Sequence, residues 1–189
     1  MRHIGILKAL LSCRRYRKMD MAEKASLQSE RLAQMVASAR EHSPYYRQLY
    51  EALPSRPTLA DLPPTNKREL MAHWDDWVTD RNVTFAQVST FMQDLDNVGR
   101  KLAGKYLVFS TSGSTGNPLV MLCDKSVNNV MGAVNIARSF ARKDVLKRYV
   151  LRGGKTIGVF ATGGFYLSNG SVRARLLQMP WKKKQMGIT

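Results

Sequence analysis

At 189 residues, 44% of them apolar, the chain can bury one ordinary domain or an incomplete piece of a larger one, which excludes disorder of the whole. Lys and Arg number 30 against 14 Asp and Glu, so a net charge of +16 draws anionic partners in general, with nucleic acid, nucleotides and anionic lipid all qualifying. Two cysteines, Cys13 and Cys123, supply neither a CxxC metal site nor a disulfide framework and fit a reducing, cytoplasmic setting.

The opening stretch has a basic start and apolar residues, but Lys8 interrupts the run and Arg14 and Arg15 follow at once. It is too short and too charged for a secretory segment or a membrane span, while an amphipathic helix resting peripherally on a membrane surface stays open. Positive charge is clustered at Arg14, Arg15, Arg17 and Lys18, again between Arg138 and Arg152, and at Lys182, Lys183 and Lys184. Such clusters serve mostly as solvated faces, with nucleic-acid or membrane contact as the alternative.

Ala25, Leu32, Met35, Val36 and Ala39 recur at helical spacing and predict an amphipathic helix over 22–40. Ser43-Pro44 breaks it, and Pro44 suits the first turn of a short second helix through Tyr50. Leu62-Pro63-Pro64 is an extended entry to a helix that Thr65 or Asn66 can cap, with Trp74 and Trp77 on one face. A further helix is predicted from Phe85 to about Val98, its end bracketed by Gly99 and Gly104.

Beyond Lys105 the texture changes. Tyr106-Leu107-Val108-Phe109 and Leu119-Val120-Met121-Leu122 read as two strands around a small polar loop, and 125–142 reads as a helix. Residues 156–161 form another candidate strand, ending at Thr162-Gly163-Gly164, and nothing after Trp181 reads as a closing element. The expectation is an α/β chain in two parts: a mostly helical region over 1–104, then an α/β segment with an incomplete sheet over 105–189.

The loop Ser110-Thr111-Ser112-Gly113-Ser114-Thr115-Gly116-Asn117-Pro118 sets five hydroxyl residues and two glycines in nine positions directly after a strand. Glycine lets backbone N–H groups close on an anion, and hydroxyls rotate to donate further hydrogen bonds, so such a loop suits phosphate. No lysine follows Gly116 and an apolar strand comes next, so it is not a G-x-x-x-x-G-K-[ST] loop. A plain hairpin turn would draw on the same residue types.

The order Thr-Ser-Gly-Ser-Thr-Gly-x-Pro resembles the signature loop of the adenylate-forming, AMP-binding superfamily. Ser43-Pro44-Tyr45-Tyr46-Arg47, Leu62-Pro63-Pro64-Thr65-Asn66-Lys67, and Asn117-Pro118-Leu119 followed by Asp124 are similar to segments of its phenylacetate-CoA ligase, capsular-biosynthesis and coenzyme F390 synthetase-like branch. The likeness covers roughly 40–164, and only the loop is specific on its own. It implies the start of the N-terminal domain of an adenylate-forming enzyme. The implied activity is ATP-dependent and AMP-forming: a small carboxylic acid attacks the α-phosphate of ATP, and CoA or another nucleophile then displaces AMP.

The resemblance further implies that Thr111, Ser112, Gly113, Ser114, Thr115 and Gly116 hold ATP phosphates, with Mg²⁺ sharing their charge and CoA as a later substrate. Lys67 is either an exposed helix-start lysine or part of this machinery, and Thr162-Gly163-Gly164-Phe165 is either a strand-end turn or a wall near the acyl site. His42 and His73 have no metal-spaced neighbours and read as structural, Cys123 reads as a small buried hydrophobe, and no catalytic residue or metal ligand is assigned.

No counterpart is found of the family's later adenine-binding motif, ribose-binding aspartate or C-terminal catalytic lysine, which the resemblance would place beyond Thr189. Orientation of reactants can supply roughly 7–11 kcal/mol of a barrier, so the chain alone is expected to be inactive. Two other readings stand beside the ligase fragment. One is a basic module binding anions, nucleic acid or a membrane surface; the other is a structural or regulatory partner of a full-length ligase, and the partners expected beside ATP and the acid are a complementing ligase chain or a second copy in a homo-oligomer.

Overall fold

The structure, a computed structural model, describes residues 4–111, 116, 118–159, 161–179 and 186–188. Several of its helices start at a side-chain cap. After α1 (Ile6–Lys18), α2 (Met21–His42) begins at Asp20, whose carboxylate accepts from the Glu23 N–H at 2.8 Å while Glu23 accepts from the Asp20 N–H at 2.9 Å. Fully buried Ser43 caps α3 (Pro44–Leu49) and also donates to the Asp76 carbonyl at 2.9 Å, so one hydroxyl joins α3 to α5 (Trp74–Trp77). Of the two candidate caps for α4 (Lys67–Ala72), Asn66 is used, accepting from the Glu69 N–H at 2.9 Å.

The helix expected to reach Val98 stops early: α6 spans Phe85–Met92. Asp94 accepts from the Asp96 N–H at 2.9 Å and starts a separate 3₁₀ turn, Leu95–Asn97, its carboxylate competing with the helical backbone for that donor.

Strands β1 (Lys101–Leu102), β2 (Tyr106–Ser110) and β3 (Val120–Cys123) form an antiparallel sheet in that order, with Leu107 opposite Cys123 and Ser110 opposite Val120. Asp124 caps α7 (Lys125–Ser139). The single helix expected over 125–142 ends there, and α8 (Lys143–Leu151) follows, with Asp144 in its first turn paired to Arg142 at 2.9 Å. β4 (Thr156–Gly158) and α9 (Leu167–Gln178) lead to β5 (Met186–Ile188), which pairs in parallel with β4. That strand corrects the expectation of no closing element, three residues being too few to display a period of two. The chain is thus mostly helical with a small antiparallel sheet and a separate parallel pair, compatible with an α/β description at this level.

Two clusters fill the interior. Trp74, Val78, Val83, Val88, Val98, Val108, Val120 and Phe165 make the larger one, and Leu107, Phe109, Cys123 and Ala174 lie on the opposite face of the hairpin. α9 closes on that face because Gly170 has no side chain: a Cβ there would stand 2.7 Å from Cε1 of the Phe109 ring. Gly99, rather than only ending a helix, holds φ +84° against α9, where a Cβ would come within 2.6 Å of the Ala174 nitrogen.

Gly170→Ala is therefore expected to destabilise the fold by about 1–3 kcal/mol, the usual cost of overpacking a buried ring that cannot swing away. Gly163→Ala, with nothing near its Cβ position, should stay within about 0.5 kcal/mol of the parent. Paired urea melts of the two variants check both.

Candidate phosphate-binding site

The polar loop leaves β2 at Ser110 and re-enters the sheet at Val120. Thr111 closes its neck: the Thr111 N–H donates to the Leu119 carbonyl at 3.0 Å, and Thr111 Oγ1 accepts from the Leu119 N–H at 2.9 Å. The second bond uses only an acceptor lone pair, so the hydroxyl proton of Thr111 remains available for an anion. Gly116 adopts φ +82°, the left-handed region that an L side chain enters only with strain. Ser112, Gly113, Ser114 and Thr115, the remaining residues expected to hold phosphate, lie outside the described residues.

Both strands that bear the loop are fixed from outside the hairpin. On one side the Ser110 N–H donates to the Phe165 carbonyl at 2.7 Å, and Ser110 forms an isolated parallel bridge with Tyr166 at the start of α9. Asn169, buried in the first turn of that helix, donates to the carbonyls of Thr162 at 2.8 Å and Gly164 at 2.9 Å. The Thr162-Gly163-Gly164 turn and the loop base are thereby brought side by side, a juxtaposition that the sequence separation hides.

On the other side the Trp74 Nε1–H donates to the Val120 carbonyl at 3.1 Å, and Met71 Sδ accepts the Val120 N–H at 3.4 Å. α4 and α5, which follow the Leu62 to Lys67 segment, thus reach the loop exit. The Ser43 segment joins them through Asp76, and the Tyr45 hydroxyl donates to Glu69 Oε1 at 2.7 Å. Burial, with help from that carboxylate, pushes the Tyr45 phenol up to about 12.

Lys67 heads α4. His42 Nδ1 is 2.9 Å from the Ser38 carbonyl, and His73 stacks on Tyr45 at 6.0 Å. Cys123 is buried, and desolvation raises its thiol to about 11. Among the described residues no group of three or more His, Cys, Asp and Glu is placed to hold a metal ion.

Sequence reasoning missed what lies beside the neck. Asp80 accepts from Lys105 Nζ at 2.7 Å and from the Tyr106 hydroxyl at 2.6 Å. Those two bonds hold its carboxyl well below the usual carboxylate range, and the same contact holds Lys105 above the usual lysine range. Next to this cluster a cavity of about 370 Å³ is lined by Tyr46, Trp77, Asp80, Tyr106, Leu119 and Met121. Trp77 Nε1 is buried with no acceptor among the described residues. No local spacing announces these contacts, because Asp80 and its partners belong to different elements.

No family model matches the chain, and neither a curated protein nor a solved structure matches it.

Asp80→Asn should cost about 1 kcal/mol at neutral pH, the ion pair being discounted because Lys105 is largely exposed. Asp80 has a depressed folded pKa, so its contribution is complete above the ordinary carboxylate range and is lost as pH falls through the folded value. The gap between parent and variant in urea midpoint should hold at neutral pH and shrink in strong acid. Asn169→Ala, which strips donors from two carbonyls, should cost about 1–3 kcal/mol with no such pH dependence.

Proposed function

We propose that the chain is the N-terminal portion of an ATP-dependent, AMP-forming carboxylic acid ligase, and that residues 110–118 are its phosphate loop. The observation that carries this reading is a Ser, Thr and Gly loop set between two strands of one hairpin. Its neck is closed by Thr111 and Leu119, and a left-handed glycine precedes its exit. Thr111, pinned at the neck by its two bonds to Leu119, meets an anion with its hydroxyl already in place.

In this reading Gly113 and Gly116 admit the β- and γ-phosphates, and Thr111, Ser112, Ser114 and Thr115 donate to their oxygens. Mg²⁺ arrives on the nucleotide, where two or more phosphate oxygens supply ligands that the protein need not. The turn at Thr162-Gly163-Gly164, held next to the loop base, stands where the acid would approach. CoA would enter only in the complete ligase, and the chain by itself binds ATP without activating an acid.

Calorimetric titration of the full chain with Mg·ATP tests the reading. Saturable binding is expected, weakened at least tenfold by Gly113→Val with an unchanged melting curve. Binding that is indifferent to Gly113→Val and fades with added salt would place the nucleotide on the basic surface and overturn the proposal. No ATP–pyrophosphate exchange is expected from this chain alone with a panel of carboxylic acids. Exchange at a rate above a no-protein control would remove the claim that it is inactive by itself.

A further inference from the structure

α1 and α7 lie side by side and run the same way. The Ile4 N–H donates to Ser126 Oγ at 3.1 Å, Asn129 donates to the Ile4 carbonyl at 2.9 Å, and Ile6 Cδ1 lies 3.5 Å from where a Gly132 Cβ would stand. Both helices therefore begin at one end of the seam and finish at the other. Along it is a cavity of about 710 Å³, within the size range of small-molecule sites.

Its walls are apolar over most of the length, with Ile4, Ala9, Cys13, Val130, Val134 and Ala137. Toward the helix ends they become cationic. Arg17 is in the last turn of α1, Arg138 in the last turn of α7, and Arg31 comes across from α2. α2 is held there by Gln28, whose amide donates to the Tyr16 hydroxyl at 3.0 Å.

No acidic residue lines the cavity, and among the described residues none of the three guanidinium groups makes an ion pair. The two helix C-termini contribute about half a negative charge each, against three positive charges, so that end of the cavity stays positive by about two. From Val130 to Arg138 the α7 wall spans about 12 Å at the helical rise, the length of a medium-to-long alkyl chain.

We propose that this cavity binds a single-chain amphiphile with an anionic head, a long-chain carboxylate. Its alkyl chain lies along Ala9, Cys13, Val130 and Val134, and its head lies among Arg17, Arg31 and Arg138. The apolar walls exclude a nucleotide or a sugar, and the arginine end selects against neutral or cationic amphiphiles. The assignment is independent of the phosphate loop.

Cys13 supplies a direct readout. It is partly exposed in the cavity wall, whereas Cys123 is buried with its thiol raised to about 11 and does not compete for an alkylating reagent. Sub-micellar dodecanoate should saturably slow iodoacetamide labelling of Cys13 in the full chain. The double variant Arg17→Ala, Arg138→Ala, which alters only exposed side chains, should raise the half-protecting concentration at least tenfold. Octanoate should protect at least tenfold less well, and dodecyltrimethylammonium not at all. Equal protection by the cationic amphiphile, no protection by dodecanoate, or protection only by anionic phospholipid vesicles would each overturn the proposal, the last pointing to a membrane surface in place of a cavity.

Discussion

Leu107, Val108 and Phe109 are all buried, and because successive side chains of a strand point to opposite faces, β2 has to be covered on both sides at once. Val108 faces the cluster that contains Trp74 and Phe165, while Leu107 and Phe109 face Ala174 of α9. A two-stranded hairpin cannot sustain such a strand alone, so residues from both halves of the chain must converge on it. The helices before β1 supply one cover and α9 the other, and glycines at 99 and 170 set how close α9 can come.

That double cover also gives the loop its footing. The main chain on either side of residues 111–119 is held by groups distant in sequence: Phe165 at Ser110, and Trp74 and Met71 at Val120. The same convergence forms the polar cluster at Asp80, where a carboxylate from the helical half meets a lysine and a tyrosine of the β1–β2 turn and β2. The floor of the candidate site is thus a property of the whole chain and not of the loop motif.

Local chemistry explains which parts were legible in advance. The helix at 22–40, the proline-started α3, the capped α4 and the β2–loop–β3 hairpin follow from periodicity and caps within a few residues, and each is found. The early end of α6 and strand β5 escaped, since the first depends on a side chain competing for one donor and the second on pairing with a distant strand. At the candidate site the strand–loop–strand hairpin was legible from the motif, but the contacts of Asn169, Trp74 and Asp80 were not. Their partners lie in other elements, a separation that no spacing rule captures. The arginine-ended cavity escaped for the same reason, since Arg17 and Arg138 belong to separate charge clusters and Arg31 to neither.

Val120 lies on β3, the outermost strand of its sheet, where an unpaired N–H and C=O would ordinarily offer a template to another polypeptide. Here a thioether takes the N–H and an indole takes the C=O, so the backbone at this position is sealed by side chains and not by a further strand. Across the sheet the Phe165 carbonyl likewise occupies the Ser110 N–H where β1 falls short. At these two positions the sheet is closed to growth: a chain seeking to extend it there must first displace a tryptophan or unpick the start of α9. The borders are guarded where the backbone is most exposed to mispairing, beside a glycine-bearing loop.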